Sequence, residues 1–369
     1  MGEHIIVSKQ KNKDNLSLPA FSISNKNGFI PQEEQFGKDN TYSKTDKSSN
    51  YIVKPKYFAY NPARINVGSI AYQNTITPVL VSSLYEIFRS DNNIDDVFLQ
   101  YWFRSEYFYK QIQRLQEGGV RQYFFIDKMR ESQIYLTNVS EQNKIGSIIS
   151  KLDKLLTLQQ RKLEQIKLLK KAMLQKILAE TDNPYPKLRF FGFSNTWKKY
   201  TVNSLFKISR GYVLSTTLTE ANKSAHNPYP VYSSQTKNNG LMGYYNKYLY
   251  ENAITWTTDG ANAGTVNYRS GKFYCTNVCG VILSDKVDAN QLIAEELNTV
   301  SKRYVSYVGN PKLMNNVMAN IKIIIPDQYK ERQQISQLFS RQDIFKDVYQ
   351  RKQNVLKILK QFLLQNMFI

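Results

Sequence analysis

The sequence has few of the residues that enzymes use for metal and nucleophilic chemistry. Its 369 residues include two cysteines and two histidines. Cys275 and Cys279 form one C-x-x-x-C pair in a stretch typical of a strand, while His4 and His226 are isolated. These residues cannot assemble a usual four-ligand zinc site, and they offer no candidate for a catalytic triad. We predict no metal site and no catalytic residue, and two buried thiols that pack as small hydrophobic side chains.

Motifs that bind nucleotides or cleave phosphodiesters are also missing. There is no G-x-G-x-x-G and no G-x-x-x-x-G-K-[ST] loop, so we predict no cofactor in this chain. No Glu-x-Lys occurs, which counts against a common nuclease arrangement. No run approaches the roughly 18 apolar residues of a spanning helix, and the start lacks the apolar region of a signal peptide. The expected protein is cytoplasmic, with no membrane segment.

Positive charge is in large excess. Fifty Lys and Arg residues against thirty Asp and Glu give a formal net charge of +20. This balance favours a polyanionic partner, with nucleic acid as the leading candidate and an anionic membrane surface as the competitor. A hydrophobic content of 41% and an aromatic content of 13% are enough to form cores, and the length predicts two or three domains.

One long helical stretch occurs twice. Residues 141–178 and 331–368 align without a gap, so that Asp153 falls on Asp343 and Lys170 on Lys360. The strand-like segments before each stretch recur in the same order. The repeat is much longer than the roughly 20–50 residues of solenoid units. The chain is therefore an internal duplication, in which a β-rich module and a long helix are followed by a second module and a second helix.

The apolar residues of both stretches step by three and four, as in a coiled coil. In the first stretch only Gln159 and Lys170 interrupt the pattern. A 38-residue helix is about 57 Å long, and a helix in a protein is stabilised mainly by packing of its apolar face, so we predict that the two helices pair antiparallel. The predicted helix–helix spacer consists of Ile145, Ile149, Leu152, Leu156, Leu163, Ile166, Ile335, Leu338, Phe345, Val348, Val355 and Leu359.

Loops dense in Asn, Gln, Ser, Thr and Tyr and interleaved with Arg and Lys can read base edges and hold phosphates. An ordinary surface loop is the alternative for each such residue. The candidate DNA-binding residues are Tyr60, Asn61, Arg64, Asn66, Arg121, Arg210, Ser233, Ser234, Gln235, Lys237, Asn238, Thr257, Thr258, Asn262 and Lys312.

Three features together carry a family resemblance. They are "PKLRFFGFSNTWKKYTVNSLFKISRG" from Pro186 to Gly211, the two repeated Lys-rich helices, and "IKIIIPDQYKERQQI" before the second helix. Over nearly its whole length the chain resembles the specificity subunit of type I restriction-modification enzymes. The resemblance implies an α+β fold with a pseudo-twofold internal repeat. Two β-rich target-recognition domains (1–140 and 181–330) would be separated by two long antiparallel helices (141–180 and 331–369) that form a coiled coil.

The resemblance also implies a function. Each domain would read one half of a bipartite site in double-stranded DNA, and the chain itself would catalyse nothing. Two partner methyltransferase subunits would bind S-adenosylmethionine and modify adenine, and restriction or motor subunits would use ATP and Mg to move and cut. The segment from Pro186 has no counterpart before the first module, so either the start is truncated or that module is a shortened variant.

Two other functions stay open at this point. The chain could be a stand-alone coiled-coil architectural protein that binds DNA or RNA, or a nuclease with an unrecognised active site. A chain that never co-purifies with methyltransferase chains would favour the architectural protein over the specificity subunit. Plasmid cleavage by the pure chain with Mg²⁺ would favour the nuclease.

Overall fold

A computed structural model describes residues 1–36, 47–119, 122–180, 183–234 and 237–368, excluding the side chains of residues 35, 36 and 237. Its strands are β1 (Ile5–Val7), β2 (Phe21–Ser24), β3 (Gly28–Pro31), β4 (Tyr51–Val53), β5 (Phe58–Tyr60), β6 (Ile70–Tyr72), β7 (Val79–Val81), β8 (Glu86–Ser90), β9 (Lys198–Thr201), β10 (Phe206–Arg210), β11 (Tyr229–Tyr232), β12 (Leu241–Tyr245), β13 (Tyr250–Thr257), β14 (Val266–Cys275), β15 (Cys279–Ser284) and β16 (Lys322–Ile325). Its α-helices are α1 (Gln32–Phe36), α2 (Asp96–Trp102), α3 (Glu106–Leu115), α4 (Ile126–Glu131), α5 (Val139–Ile177), α6 (Val202–Leu205), α7 (Gln291–Val300), α8 (Asn315–Asn320) and α9 (Tyr329–Asn366).

The chain divides into two compact units. Unit 1 contains residues 1–161 and 351–369, and unit 2 contains residues 162–350. Each unit combines strands, short helices and a part of both long helices, α5 and α9. The predicted α+β class and the two long helices are confirmed, and both helices begin two residues earlier than the sequence pattern predicted.

Unit 1 has a four-stranded sheet in the order β1-β8-β5-β6 and two separate pairs, β2-β3 and β4-β7. Its main core is aromatic. Phe58 stacks on Phe88 with 5.2 Å between ring centroids, and Trp102 lies 4.7 Å from Phe108. Trp102 of α2 and Phe108 of α3 are buried in this cluster together with the strand residues Phe58 and Phe88. Phe368 from the end of the chain completes the cluster.

Unit 2 repeats this strand order in one larger sheet, β10-β15-β13-β14-β11-β12. The sheet is continuous because β13 and β14 are eight and ten residues long, whereas the matching strands of unit 1 are short. Trp256 on β13 lies against Gly280 on β15, where an added Cβ would come within 2.1 Å of the indole ring. Its Nε1 donates to the Leu313 carbonyl at 3.0 Å. Glycine at 280 is thus required by close packing in the core.

The long helices run antiparallel in unit 1. Lys360 Nζ donates to Asp153 Oδ1 at 2.5 Å, and Gln353 Nε2 donates to Gln160 Oε1. From the first contact to the second, the residue number increases from 153 to 160 in α5 and decreases from 360 to 353 in α9. Contacts that repeat after one heptad with opposite chain directions are expected for antiparallel helices. Tyr101 from α2 also donates to Asp153, at 3.0 Å.

Unit 2 contains the equivalent ion pair. Lys170 Nζ lies 2.7 Å from Asp343 Oδ1 and 2.6 Å from Glu295 Oε1. The sequence repeat matches Lys170 to Lys360 and Asp343 to Asp153, so the duplicated residues make the same contact in each unit. The helix pairing is antiparallel here as well, as predicted.

The packing seam of α9 differs from the predicted spacer. Phe345, Val348, Val355 and Leu359 are 58, 41, 63 and 41% exposed, which corrects their assignment. Between residues 344 and 363 of α9, the half-buried and buried positions are Lys346, Tyr349, Gln353, Leu356, Lys360 and Leu363. They follow an unbroken heptad pattern. The seam is thus partly polar, and a second apolar stripe remains exposed.

The α5 part of the spacer lies on the packed side of its helix. Its six residues are buried or half-buried: Ile145, Ile149, Leu152, Leu156, Leu163 and Ile166. Gln159 and Lys170 occupy the same seam. In α9, Ile335 is buried and Leu338 is half-buried beside it.

Candidate nucleic-acid interface

Unit 2 brings together three candidates that are far apart in sequence. Arg210, at the end of β10, and Thr258 line a shallow cleft of about 290 Å³. Lys312 reaches the same region because its backbone pairs with Asp259, the neighbour of Thr258. The Leu313 amide also donates to the Thr258 carbonyl, at 2.8 Å. The cleft therefore presents the Arg210 guanidinium and hydrogen-bonding side chains, and the exposed Lys312 lies on the segment that leads into it.

The Arg210 side chain is positioned by the loop between β14 and β15. Its Nε donates to the Asn277 carbonyl at 2.7 Å, and its Nη2 lies 4.0 Å from Asp259 Oδ2. The Thr258 hydroxyl donates to the same carboxylate oxygen at 2.6 Å. Nearly half of Arg210 is exposed, so a phosphate can approach it from solvent.

Sequence reasoning missed two amides in this cleft. Asn315 and Asn316 line it together with Met314. Asn315 Nδ2 donates to the Ser209 carbonyl at 3.4 Å. A signal was present in the pair Asn315-Asn316, which lies three residues after Lys312 and has the polar character of the loops that were selected.

A second group of candidates lies on the turn between β11 and β12. Asn238 and Asn239 adopt left-handed backbone conformations, with φ of 51° and 52°. The Ser233 amide donates to the Gly240 carbonyl at 2.8 Å. A Cβ at Gly240 would lie 2.7 Å from the Ser233 carbonyl oxygen, so glycine is needed to close this turn. Asn238 is exposed at its tip.

Arg269, which sequence reasoning also missed, fixes this turn through a hydrogen bond to its backbone and a contact with the Tyr232 ring. Its guanidinium lies 3.7 Å above the Tyr232 ring, and its Nη2 donates to the Asn239 carbonyl at 2.7 Å. Its Nε donates to Thr255 Oγ1 at 3.1 Å. Burial lowers the pKa of Arg269. No sequence pattern distinguishes such a buried arginine from an exposed one on a strand.

The other unit 2 candidates differ in accessibility. Thr257 is buried, and Ser233 and Ser234 are half-buried. Asn262 Nδ2 donates to the Ser234 carbonyl at 3.4 Å, which joins two candidate loops. Gln235 lies outside the described residues, as does Arg121 of unit 1. Lys237 begins the turn's 3₁₀ segment.

The two cysteines are buried in the sheet of unit 2. Burial raises the pKa of the Cys279 thiol to about 11 and raises that of Cys275 further. Both are therefore protonated near neutral pH and are poor nucleophiles. Within the described ranges, no group of three His, Cys, Asp or Glu side chains could hold a metal ion.

The unit 1 candidates lie around the turn after β5. Tyr60 is fully buried in the core, so its ring does not face solvent. Asn61 Oδ1 accepts from the Ala63 amide at 3.0 Å and caps the turn. Arg64 and Asn66 are exposed, and Asn66 lines a cleft of about 830 Å³. The cleft also includes Lys26, Asn74 and Arg104, which sequence reasoning did not select.

Comparison with known families agrees with this architecture. The family model described as the type I restriction modification DNA specificity domain matches the chain twice, over residues 3–168 and 194–357. The chain belongs to this family. The two matched regions correspond to the two halves of the repeat, each containing one β-rich part and one long helix.

Similar proteins include type I specificity subunits of Mycoplasma pneumoniae. A proposed specificity subunit N-terminus is 38% identical over 132 residues, which cover 34% of this chain and 67% of that protein. A second proposed subunit is 36% identical over 132 residues, which cover 35% of this chain and 35% of that protein. The specificity subunit of the type I restriction enzyme MpnII is 30% identical over 141 residues and covered to 42%. The match thus spans less than half of the latter two relatives.

Solved specificity subunits share the fold. The crystal structure of a type I restriction-modification S subunit from M. genitalium aligns with a TM-score of 0.71 at 13% identity, covering 100% of this chain and 94% of that one. A chain from a study of type I system assembly aligns with a TM-score of 0.52 at 13% identity, covering 98% of this chain and 95% of that one.

None of the helices in the described parts of this chain is both long and apolar enough to span a bilayer.

Proposed function

We propose that this chain is the DNA-binding specificity subunit of a type I restriction-modification system and recognises a bipartite target. The β-rich parts, residues 1–140 and 181–330, are the two target-recognition domains. The chain acts in the cytoplasm and directs methyltransferase subunits and restriction or motor subunits to its site. Partner subunits supply the chemistry, with S-adenosylmethionine for adenine methylation and ATP and Mg for translocation and cleavage.

The observation that carries this proposal is the duplication of one fold with unlike surface loops. Both units have the same strand order and the same Lys–Asp ion pair between antiparallel helices. Their candidate interfaces differ: unit 1 presents Arg64 and Asn66, whereas unit 2 presents Arg210 and Lys312. Two related scaffolds with different polar loops are suited to two half-sites of different sequence.

Selection from random DNA tests this function directly. The full chain, alone and with its methyltransferase partners, is incubated with a pool of random duplexes, and bound DNA is sequenced over several rounds. We expect enrichment of two short, different half-sites at a fixed separation. Arg64→Gln should relax only one half-site and Arg210→Gln only the other, because each arginine belongs to a different unit. Removing one bidentate hydrogen-bond pair to a base weakens discrimination by about 1–3 kcal/mol.

Two outcomes would contradict the proposal. Binding without any sequence enrichment would favour an architectural protein that contacts only the phosphate backbone. Enrichment of one continuous site, altered equally by both substitutions, would contradict two independent readers.

The partner subunits are proposed to bind the second apolar stripe of the long helices. In unit 1 this stripe includes Leu155 on α5 and Ile358 on α9, and in unit 2 it includes Leu168 and Phe345. All four are more than two-fifths exposed. Apolar side chains that remain exposed along a long helix are typical of a surface that receives further helices.

The sequence repeat offers matched variants for this surface. Leu168 and Ile358 occupy equivalent positions and are 66% and 67% exposed. Leu168→Asp and Ile358→Asp should each weaken binding of one methyltransferase subunit at least tenfold, about 1.4 kcal/mol, and the double variant should weaken both. Sedimentation velocity of the mixed subunits measures the stoichiometry. Lys171→Asp, at an exposed position of α5, is the control; if it acts equally, charge and not the apolar stripe determines assembly.

A further inference from the structure

The two units differ in one backbone pairing. In unit 2, β16 pairs antiparallel with β9, so that Ile323 lies opposite Tyr200 and Ile325 opposite Lys198. The pairing begins where the Val202 amide donates to the Ile321 carbonyl, at 3.0 Å. The segment that supplies β9 thereby completes the edge of unit 2 just before α9.

Unit 1 has the first contact of this arrangement but not the strand. The Met1 amino group donates to the Ser132 carbonyl at 2.9 Å, as the Val202 amide does to Ile321. Met129 on α4 and Met318 on α8 are both fully buried at matching places. Residues 133–136 therefore correspond to β16. In the described chain no β-strand pairs with them.

The backbone groups that face the open side can be identified. Gln133 uses its amide and its carbonyl on the Gln111 side chain, at 2.5 and 2.6 Å. Alternate residues of a strand point their backbone groups to opposite sides, so in β16 those of Ile323 and Ile325 face β9, as the Ile321 carbonyl does. The equivalent groups in unit 1 are those of Ile134 and Leu136. Among the residues that the structure describes, these groups have no hydrogen-bond partner. Tyr135 is 69% exposed, whereas the corresponding Ile324 is 6% exposed.

The two units also differ at one glutamate, which makes an ion pair in unit 2 and none in unit 1 among the described residues. In unit 2 the buried Glu331 accepts from Arg189 at 2.6 and 2.8 Å and from Trp197 Nε1 at 3.3 Å. Both donors belong to the segment that ends in β9. The repeat places Glu141 at the equivalent position of α5. Glu141 is exposed, and its carboxylate makes no hydrogen bond or ion pair within the described ranges.

We infer that residues 133–136, together with Glu141, form a strand-addition site for an extended segment with the chemistry of residues 183–201. The segment would pair antiparallel through Ile134 and Leu136 and place an arginine and a tryptophan on Glu141. Unit 2 shows which residues cover the same edge, and that is why the occupant is specified by its arginine, tryptophan and β-strand. Strand addition of this type derives affinity from backbone hydrogen bonds and specificity from side-chain pockets. The inference does not depend on DNA recognition.

A synthetic peptide of residues 183–201 tests the site on the full chain. We expect saturable 1:1 binding by calorimetry, with slowed amide exchange at Ile134 and Leu136. A peptide carrying Trp197→Ala should bind at least tenfold more weakly, because it loses both the indole packing and the Nε1 hydrogen bond. Glu141→Ala in the protein should weaken the unmodified peptide similarly without altering the exchange of unit 2.

Backbone variants separate this site from other modes of binding. Leu136→Pro removes an amide that faces the open edge and should abolish binding, while Tyr135→Ala should retain it. Two results would overturn the inference. One is the absence of protection at residues 133–136 at saturating peptide, and the other is protection at residues 322–325 alone, which would mean that the peptide merely exchanges with the chain's own β9. Neither result would affect the DNA selection experiment.

Discussion

Replacement of Glu331 by alanine should destabilise unit 2 by about 3–5 kcal/mol, the usual cost of removing one partner from a buried ion pair. The Glu331 side chain is 1% exposed and that of Arg189 14% exposed. The substitution leaves the guanidinium buried without its carboxylate and removes the acceptor of Trp197 Nε1. Urea unfolding followed by peptide-resolved amide exchange should show the destabilisation in residues 162–350.

The repeat supplies the control for this prediction. Glu141→Ala removes the same side chain at the equivalent but exposed position, and it should change stability by no more than about 0.5 kcal/mol. Glu331→Gln keeps hydrogen-bonding capacity but loses the charge, so its destabilisation should be smaller than that of Glu331→Ala and larger than that of Glu141→Ala. If Glu331→Ala cost less than Glu331→Gln, unsatisfied burial of Arg189 could not be the cause.

The architecture was predictable because the duplication makes each half a check on the other. The offset of 190 positions identified both long helices, and the step of three and four in α5 gave its packed side, including Gln159 and Lys170. The antiparallel pairing followed from the length of the helices. Strand boundaries within the modules were less predictable, since unit 1 divides into short strands what unit 2 builds as one sheet.

The seam of α9 was mispredicted for a physical reason. Its packed positions include Gln342, Lys346, Gln353 and Lys360, while its exposed stripe includes Phe345 and Phe362. Hydropathy alone therefore selects the wrong side. The polar seam is tolerated because Lys360 pairs with Asp153 and Gln353 with Gln160. The register of the repeat would have given the correct side, because it carries the α5 seam directly onto α9.

The candidate interface was only partly accessible from sequence. Loop composition selected Arg210, Thr258 and Lys312, but the pairing of Asp259 with Lys312 that brings them together is a tertiary contact. The same compositional rule selected Tyr60, whose ring is buried. It passed over Arg269, whose role depends on the Tyr232 ring beneath it. Composition identifies polar loops, whereas packing decides which of their side chains face solvent.

DNA binding by this chain should fall steeply with salt. Each neutralised phosphate contributes about −0.9 to the slope of log K against log salt concentration, so six contacts reduce affinity roughly 10³-fold between 50 and 200 mM. A net charge of +20 and the exposed cations of both units support at least that number. Fluorescence anisotropy with the selected duplex, at several salt concentrations, measures the slope.

Single substitutions should then show which surface contributes to the dependence of log K on log salt concentration. Lys312→Gln removes one exposed cation beside the unit 2 cleft and should reduce the magnitude of the slope by about 0.9. Lys167→Gln removes one cation from α5, where Lys167 pairs with Glu164 at 3.0 Å, and should leave the slope unchanged. Equal changes for the two variants would mean that total charge, and not the cleft around Arg210, determines how the duplex is held. A slope magnitude below about 2 in the unaltered chain would contradict extensive phosphate contact altogether.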